Sequence, residues 1–265
     1  MTQFSASDRA LAARLEKAEA ANGFELARLA VEAIPDAAFE SLAGGTAIFA
    51  GIGSPMTHAL GIGMNGRVPQ EEMERLEAFY RERGSPCLID LCPMADDSVI
   101  AFVQNRPYRI LEFNNVLARR IDPGETFERL SSLRLALPDE KRQWSRVVSQ
   151  GFAEYVPVTD SQVNSMAAMC RDIHCWIAGE SEPVGGAAMS VLDGTALFFG
   201  DAVLTAARRK GWQSLLIRER LAAAQERGCD LAMVSVLPGS ASHRNYERAG
   251  FQLIYMRVNL LREFV

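Results

Sequence analysis

Apolar and polar positions along the chain alternate between two periods, one helical and one extended. Residues 1–23, MTQFSASDRALAARLEKAEAANG, read as an amphipathic helix that carries charges throughout. Short apolar runs at TAIFAGIG (46–53) and HALGIGMN (58–65) read as strands. PQEEMERLEAFYRERGSP (69–86) reads as a helix, CLIDLCP (87–93) as a strand, DDSVIAFVQNRP (96–107) as a helix and YRILEFNNVLARRI (108–121) as a strand. In the second half, IHCWIAGE, PVGGAAMSVLDG and TALFFGDAVL are strands, with a hairpin turn at Asp193-Gly194. A long helix then runs through GWQSLLIRERLAAAQERG. It is followed by the strand LAMVSVLP, the helix ASHRNYERAG and the strand FQLIYMRVNLL.

The helix–strand–helix–strand order occurs twice. Glu82-Arg83-Gly84 stands 144 positions before Glu226-Arg227-Gly228, Pro93 stands 145 before Pro238, and Tyr108 stands 143 before Phe251. An offset that drifts so little through several landmarks points to two copies of one unit. Between them, RRIDPGETFERLSSLRLALPDEKRQWSRVVSQGF begins with the breaker Pro123-Gly124. The boundary is placed there, giving domains at 1–128 and 129–265. The fold class is α+β, a mostly antiparallel sheet with flanking helices in two tandem copies.

Composition narrows the function classes. The chain has 265 residues, 48% hydrophobic and 23% charged, with a formal net charge of −5. That acidity argues against a nucleic-acid partner, and no apolar run is long enough to span a membrane. The N-terminal helix lacks the apolar core of a signal peptide, so a cytoplasmic location is expected. Five scattered cysteines and three dispersed histidines fit no usual zinc spacing, including Cys170, His174 and Cys175, so no metal is expected.

The chemistry concentrates at ARRKGWQ, residues 207–213. Cations at the start of a helix oppose the macrodipole unless an anion sits among them. Arg208, Arg209, Lys210 and Gly211 between a strand and a long helix therefore make an anion site, with a solvated basic turn as the competing description. Neither a Walker motif nor a Rossmann fingerprint is present.

The hairpin strands, R-x-x-G-x-Q, helix, strand and Y-x-x-x-G-F together resemble the GNAT superfamily of N-acetyltransferases. The pyrophosphate-loop pattern Q/R-x-x-G-x-G/A is matched by Arg208 and Gly211, with Gln213 a departure. The late pattern N-x-x-A-x-x-L-Y-x-x-x-G-F is met at Ser242, Tyr246, Gly250 and Phe251, with Gly239 in place of Asn. The resemblance is specific over 173–258 and weaker over 133–172.

It implies acetyl-CoA as cosubstrate, with the backbone of Arg209, Lys210, Gly211, Trp212, Gln213 and Ser214 holding the pyrophosphate. The side chains of Arg208 and Arg209 would lie near phosphate oxygens. Ala202, Val203 and Leu204 would pair with the pantetheine arm, and Ser242 would lie along it. Trp212 would cover the adenine or pack beneath the loop. Tyr246 would stand near the sulfur and protonate the leaving thiolate, against the alternative of a packed aromatic. Asp201 is the nearby acidic candidate for a base, against that of a surface carboxylate.

In the first copy Val103 and Val99 fall where Tyr246 and Ser242 would be, and MNGRVPQE replaces the cationic loop. That copy reads as degenerate, without cofactor, and as a packing partner that shapes the acceptor cleft. The implied activity is N-acetylation of a primary amine on a small molecule, amino acid or peptide. The alternative is a non-catalytic acyl-CoA sensor. A homodimer is left open.

Overall fold

The computed structural model describes residues 4, 8–127, 132–154 and 156–264. In chain order the first elements are α1 (Arg9–Ala33), β1 (Ala38–Leu42), β2 (Gly45–Phe49), β3 (Ala59–Leu60), α2 (Gln70–Arg81), β4 (Cys87–Leu91), α3 (Asp97–Gln104) and β5 (Arg109–Arg120). Then come β6 (Leu133–Leu135), α4 (Lys141–Ala153), α5 (Asp160–Met169), β7 (His174–Ala178), β8 (Gly185–Leu192), β9 (Thr195–Val203), α6 (Trp212–Glu226), β10 (Leu231–Val236), α7 (Ala241–Arg248) and β11 (Gln252–Arg262). The fold is mixed α+β with largely antiparallel pairing. β3 with β4 and β9 with β10 pair in parallel, one pair in each half.

The internal repeat is visible in the elements. β4 and β10 begin at 87 and 231, and α3 and α7 at 97 and 241, both 144 residues apart. α1 runs ten residues past Gly23, where a breaker would end it. The glycine is kept for packing, since a Cβ there would come within 2.6 Å of Leu60 and 2.9 Å of Ile48.

The chain forms two compact units, Thr2–Val116 with Leu253–Val265, and Leu117–Gln252. The boundary placed at 128/129 falls on residues outside those described, and the units divide the chain differently. β11, the last strand of the second half, pairs antiparallel with β4, Val258 opposite Leu91 and Arg262 opposite Cys87. The end of β5 from Leu117 belongs to the second unit, where the Ile121 N–H donates to the Asp230 carbonyl at 2.9 Å.

Beneath α1, β11 is fixed by a buried polar layer. Arg257, 1% exposed, donates to Glu16 at 2.8 Å and Glu19 at 2.6 Å, and the Tyr255 hydroxyl donates to Glu16 at 2.7 Å. Beside them His58 Nδ1 lies 3.0 Å from Asp90, which also accepts from Asn259 at 3.0 Å. Burial opposes the charged imidazole, but the charge and hydrogen bond of Asp90 outweigh it and raise the His58 pKa. Burial likewise opposes the Asp90 carboxylate, yet His58 draws its pKa below the ordinary value.

The raised histidine contributes stability that is fully present below its unfolded pKa and lost as pH rises through the folded one. The lowered aspartate loses its share only in acid, below its ordinary value. Urea unfolding of the first unit should therefore show a lower midpoint at pH 8 than at pH 6, and His58→Gln should flatten that dependence. An unchanged pH slope in the variant would remove the pair from the account.

In the first unit, the helix start that corresponds to the cationic loop is filled. Gly63 (φ +73) lies so close to Val99 that a Cβ would come within 2.6 Å of it. The Asp96 N–H donates to the Gly63 carbonyl, and Ser98 Oγ accepts from the Val68 N–H at 2.9 Å. α2 begins behind Pro69.

Candidate functional site

In the second unit, β9 and β10 pair from Leu231↔Thr195 to Val234↔Phe198 and then part, although β9 continues to Val203. The divergence coincides with a bulge. β8 residues Gly186 and Ala188 face Ala202 and Phe199, so Gly200 (φ +65) and Asp201 together stand opposite the single residue Ala187. The bulge turns Asp201 into a cleft of about 770 Å³. Ala202, Val203, Ala207, Arg208 and Arg209 line one side, Gly211, Trp212, Gln213 and Ser214 the head of α6, and Ser240, Ala241, Ser242, Arg244, Asn245 and Arg248 the facing helix.

The head of α6 presents a row of backbone donors. Arg209 (φ +63) and Gly211 (φ +84) are both left-handed, which turns successive N–H groups to one side. Among the described residues no protein acceptor takes the backbone N–H groups of Arg209 to Ser214, and no side chain caps the helix. Around Gly211 a Cβ would meet nothing within 4 Å. This cradle has the donors and the room that a phosphate requires, and the helix dipole favours it.

Most of the sequence-derived binding residues converge here. Gln213 does more than replace a glycine, since its Nε2 donates to Ser242 Oγ at 2.8 Å and its Oε1 accepts from Asn245 at 2.6 Å, tying α6 to α7. Trp212 lines the cleft and also packs against the core. Lys210 and Leu204 lie off the lining, and the Leu204 N–H is spent on the Val184 carbonyl at 2.8 Å.

Two placements correct the expectations. The Arg208 side chain bonds to protein acceptors rather than standing free for phosphate. It donates to the Val203 and Gly151 carbonyls and to Glu154. Tyr246 does not open on the cleft. It is wholly buried, its ring edge-on to Phe251 at 5.0 Å, and its hydroxyl donates to Asp201 Oδ2 at 2.9 Å.

Asp201 is not a bare surface carboxylate either. Arg220, 0% exposed, grips both its oxygens, donates to the Tyr246 hydroxyl at 3.0 Å and lies 4.4 Å over the Phe198 ring. Burial, with Asp201 as a lesser contributor, pushes the Tyr246 pKa well above its ordinary value against the opposing pull of Arg220. Such a phenol donates a hydrogen bond but parts reluctantly with its proton.

Sequence reasoning missed Arg220, Arg244, Arg248, Gly151 and Phe152. Arg244 and Arg248, four apart on α7, both reach the cleft, and that spacing in ASHRNYERAG was a usable signal. Arg220 had none, because its partners are 19 and 26 residues away.

The profile of the Acetyltransferase (GNAT) family matches residues 141–251, from the start of α4 to the residue before the last strand. Residues 141–251 are a GNAT acetyltransferase domain. A search of curated protein sequences finds no match. Among solved structures, a GCN5-related N-acetyltransferase from Kribbella flavida is similar at 16% identity and TM-score 0.67, over 96% of each chain. A tandem GNAT protein from the clavulanic acid biosynthesis pathway is similar at 14% identity and TM-score 0.61, over 98% of this chain and 97% of that one. A GCN5-related N-acetyltransferase from Sphaerobacter thermophilus gives 19% and 0.53, over 68% and 60%. At these identities the likeness is one of fold; the first two extend it over nearly the whole chain, and the second of them is a tandem GNAT protein. Among the described residues, no helix is long and apolar enough to cross a membrane, and no group of three His, Cys, Asp or Glu could hold a metal.

The buried hydroxyl of this GNAT domain makes a specific prediction. Tyr246→Phe should cost about 1–2 kcal/mol of stability, because Asp201 and Arg220 each lose a partner. CoA affinity should stay unchanged, with turnover reduced about tenfold or less. A loss of a hundredfold at unchanged stability would restore Tyr246 as the acid.

Proposed function

We propose that this chain transfers an acetyl group from acetyl-CoA to a primary amine of a small molecule, amino acid or peptide, within the second unit. The observation that carries this reading is the row of unpartnered N–H groups from Arg209 to Ser214 beside the parted strand β9. The cradle suits a pyrophosphate, and the end of β9 at Ala202 and Val203, parted from β10, suits the amides of a pantetheine arm once the Val203 carbonyl is released by Arg208. Arg209, Arg244 and Arg248 on the lining add charge for the remaining phosphate.

Bound acetyl-CoA supplies a thioester whose C–S bond breaks as the amine nitrogen forms the new C–N bond. Asp201, at the bulge, accepts a hydrogen bond from the incoming amine and draws off its proton. Arg220 and Tyr246 fix the carboxylate's orientation, so Tyr246 acts through Asp201. Water on the open side of the cleft returns a proton to the thiolate.

One observation favours the second reading, a non-catalytic acyl-CoA sensor: the tyrosine hydroxyl is withdrawn from the cleft. Calorimetry with CoA, followed by thiol release from acetyl-CoA across a panel of amines, separates the two. Binding of one ligand per chain with amine-dependent thiol release is the expected result. Tight binding with no release for any amine would favour the sensor. Two equivalent sites per chain would overturn the degenerate reading of the first copy.

A further inference from the structure

Arg208 heads the loop expected to hold phosphate, yet each of its three guanidinium nitrogens already donates to a protein acceptor. Nε donates to the Val203 carbonyl at 3.2 Å, Nη2 to the Gly151 carbonyl at 2.9 Å and Nη1 to Glu154 Oε1 at 2.7 Å. These acceptors belong to the end of β9 and the last turn of α4. Together they offer what a phosphate offers, several oxygens of which one is anionic. Glu154 closes α4 at φ 54 and ψ −95, a conformation that residues other than glycine rarely adopt. The same turn carries Phe152, which lines the cleft while 62% exposed. One cation therefore fastens the end of α4 along the wall of the cleft.

We propose that Glu154 sets the affinity of this cleft for phosphate-bearing ligands, holding Arg208 until the ligand's diphosphate displaces it. The inference rests on the reading that the cleft takes acetyl-CoA. The side chains of Arg208 and Glu154 are 40% and 49% exposed, so solvent screens the pair and exchange is easy. A diphosphate displaces a single carboxylate because it brings more charge and more acceptor oxygens. Displacement also frees the Val203 carbonyl on the strand edge. A ligand with the pantetheine arm alone draws nothing from Arg208 and leaves the pair closed. Glu154 thus makes the cleft discriminate by ligand charge.

Calorimetry on the full chain tests this with three probes: CoA, pantetheine and inorganic pyrophosphate. The chains compared are wild type, Glu154→Gln, Arg208→Gln and the double variant. Glu154→Gln should bind CoA and pyrophosphate about three- to fivefold tighter, the scale of one partly exposed ion pair, with pantetheine unchanged. In the Arg208→Gln background the Glu154 substitution should have no effect. Tightening that persists without Arg208 would show direct repulsion of phosphate by Glu154 and overturn the proposal. Equal tightening of pantetheine would show simple steric opening and overturn it too, as would no change at all. Wild-type binding of pyrophosphate without CoA would fault the acetyl-CoA reading, while the Glu154 effect on pyrophosphate still decides the exchange.

Discussion

Arg220→Met is expected to destabilise the second unit by about 3–5 kcal/mol, the usual cost of removing one partner from a buried ion pair. Methionine fills much of the volume and keeps contact with Phe198, so packing is a small part of the loss. The large part is electrostatic. Asp201, with an 8% exposed side chain, would keep its charge with no guanidinium against it, and the Tyr246 hydroxyl would lose a donor. The Ala188 and Leu216 carbonyls would also lose theirs. All three tryptophans, Trp144, Trp176 and Trp212, lie in this unit, so denaturant unfolding followed by tryptophan fluorescence reads it alone. Arg220→Met with Asp201→Asn should recover a good part of the loss, since the stranded charge is gone. The account fails if the single variant loses less than about 1 kcal/mol, or if the double variant is no better than the single.

Gly211→Glu should weaken CoA binding by about a hundredfold or more, with a stability loss of only about 1–2 kcal/mol. At φ +84 any residue with a Cβ is strained, and relaxing it turns the Trp212 and Gln213 N–H groups away from their common focus. The new carboxylate would compete for the same donors and repel the phosphates. Nothing in the protein obstructs the side chain, because a Cβ meets no atom within 4 Å. The damage therefore falls on the ligand rather than on packing. Calorimetry beside thermal unfolding separates the two quantities. Unimpaired CoA affinity in a folded Gly211→Glu chain would mean that the anion sits elsewhere.

What could be read from the sequence was local. Asp193-Gly194 marks its hairpin because both residues adopt positive φ there, 46 and 74. The helix at 241–248 follows from the Ser240 cap, which accepts from the His243 N–H, with Tyr246 as its buried side chain. The candidate anion cradle was suggested by a glycine and cations at a strand–helix junction, a pattern confined to seven residues.

The rest depends on partners far along the chain. β5 and β11 have similar sequences and similar lengths, so nothing within either says that β11 will pair with β4. Arg220 lies in a helix whose neighbours look like any amphipathic face, and only the folded bulge brings Asp201 beneath it. The same holds for Arg208. Its charge was legible, but the carbonyls and the carboxylate that occupy it belong to α4 and β9.

The pairing of β11 with β4 also fixes a timetable. During synthesis Cys87–Leu91 emerges more than 150 residues before Val258–Arg262, the segment it must pair with. The whole of Leu117–Gln252 leaves the ribosome in between. The first unit therefore waits, with Glu16 in place on α1 but no Arg257 to meet it and one flank of β4 open to other chains. The usual advantage of a multidomain chain, in which the N-terminal domain completes before the next begins, is reversed here. The second unit can close first, and the part made earliest is the part most exposed to chaperones and to misassembly.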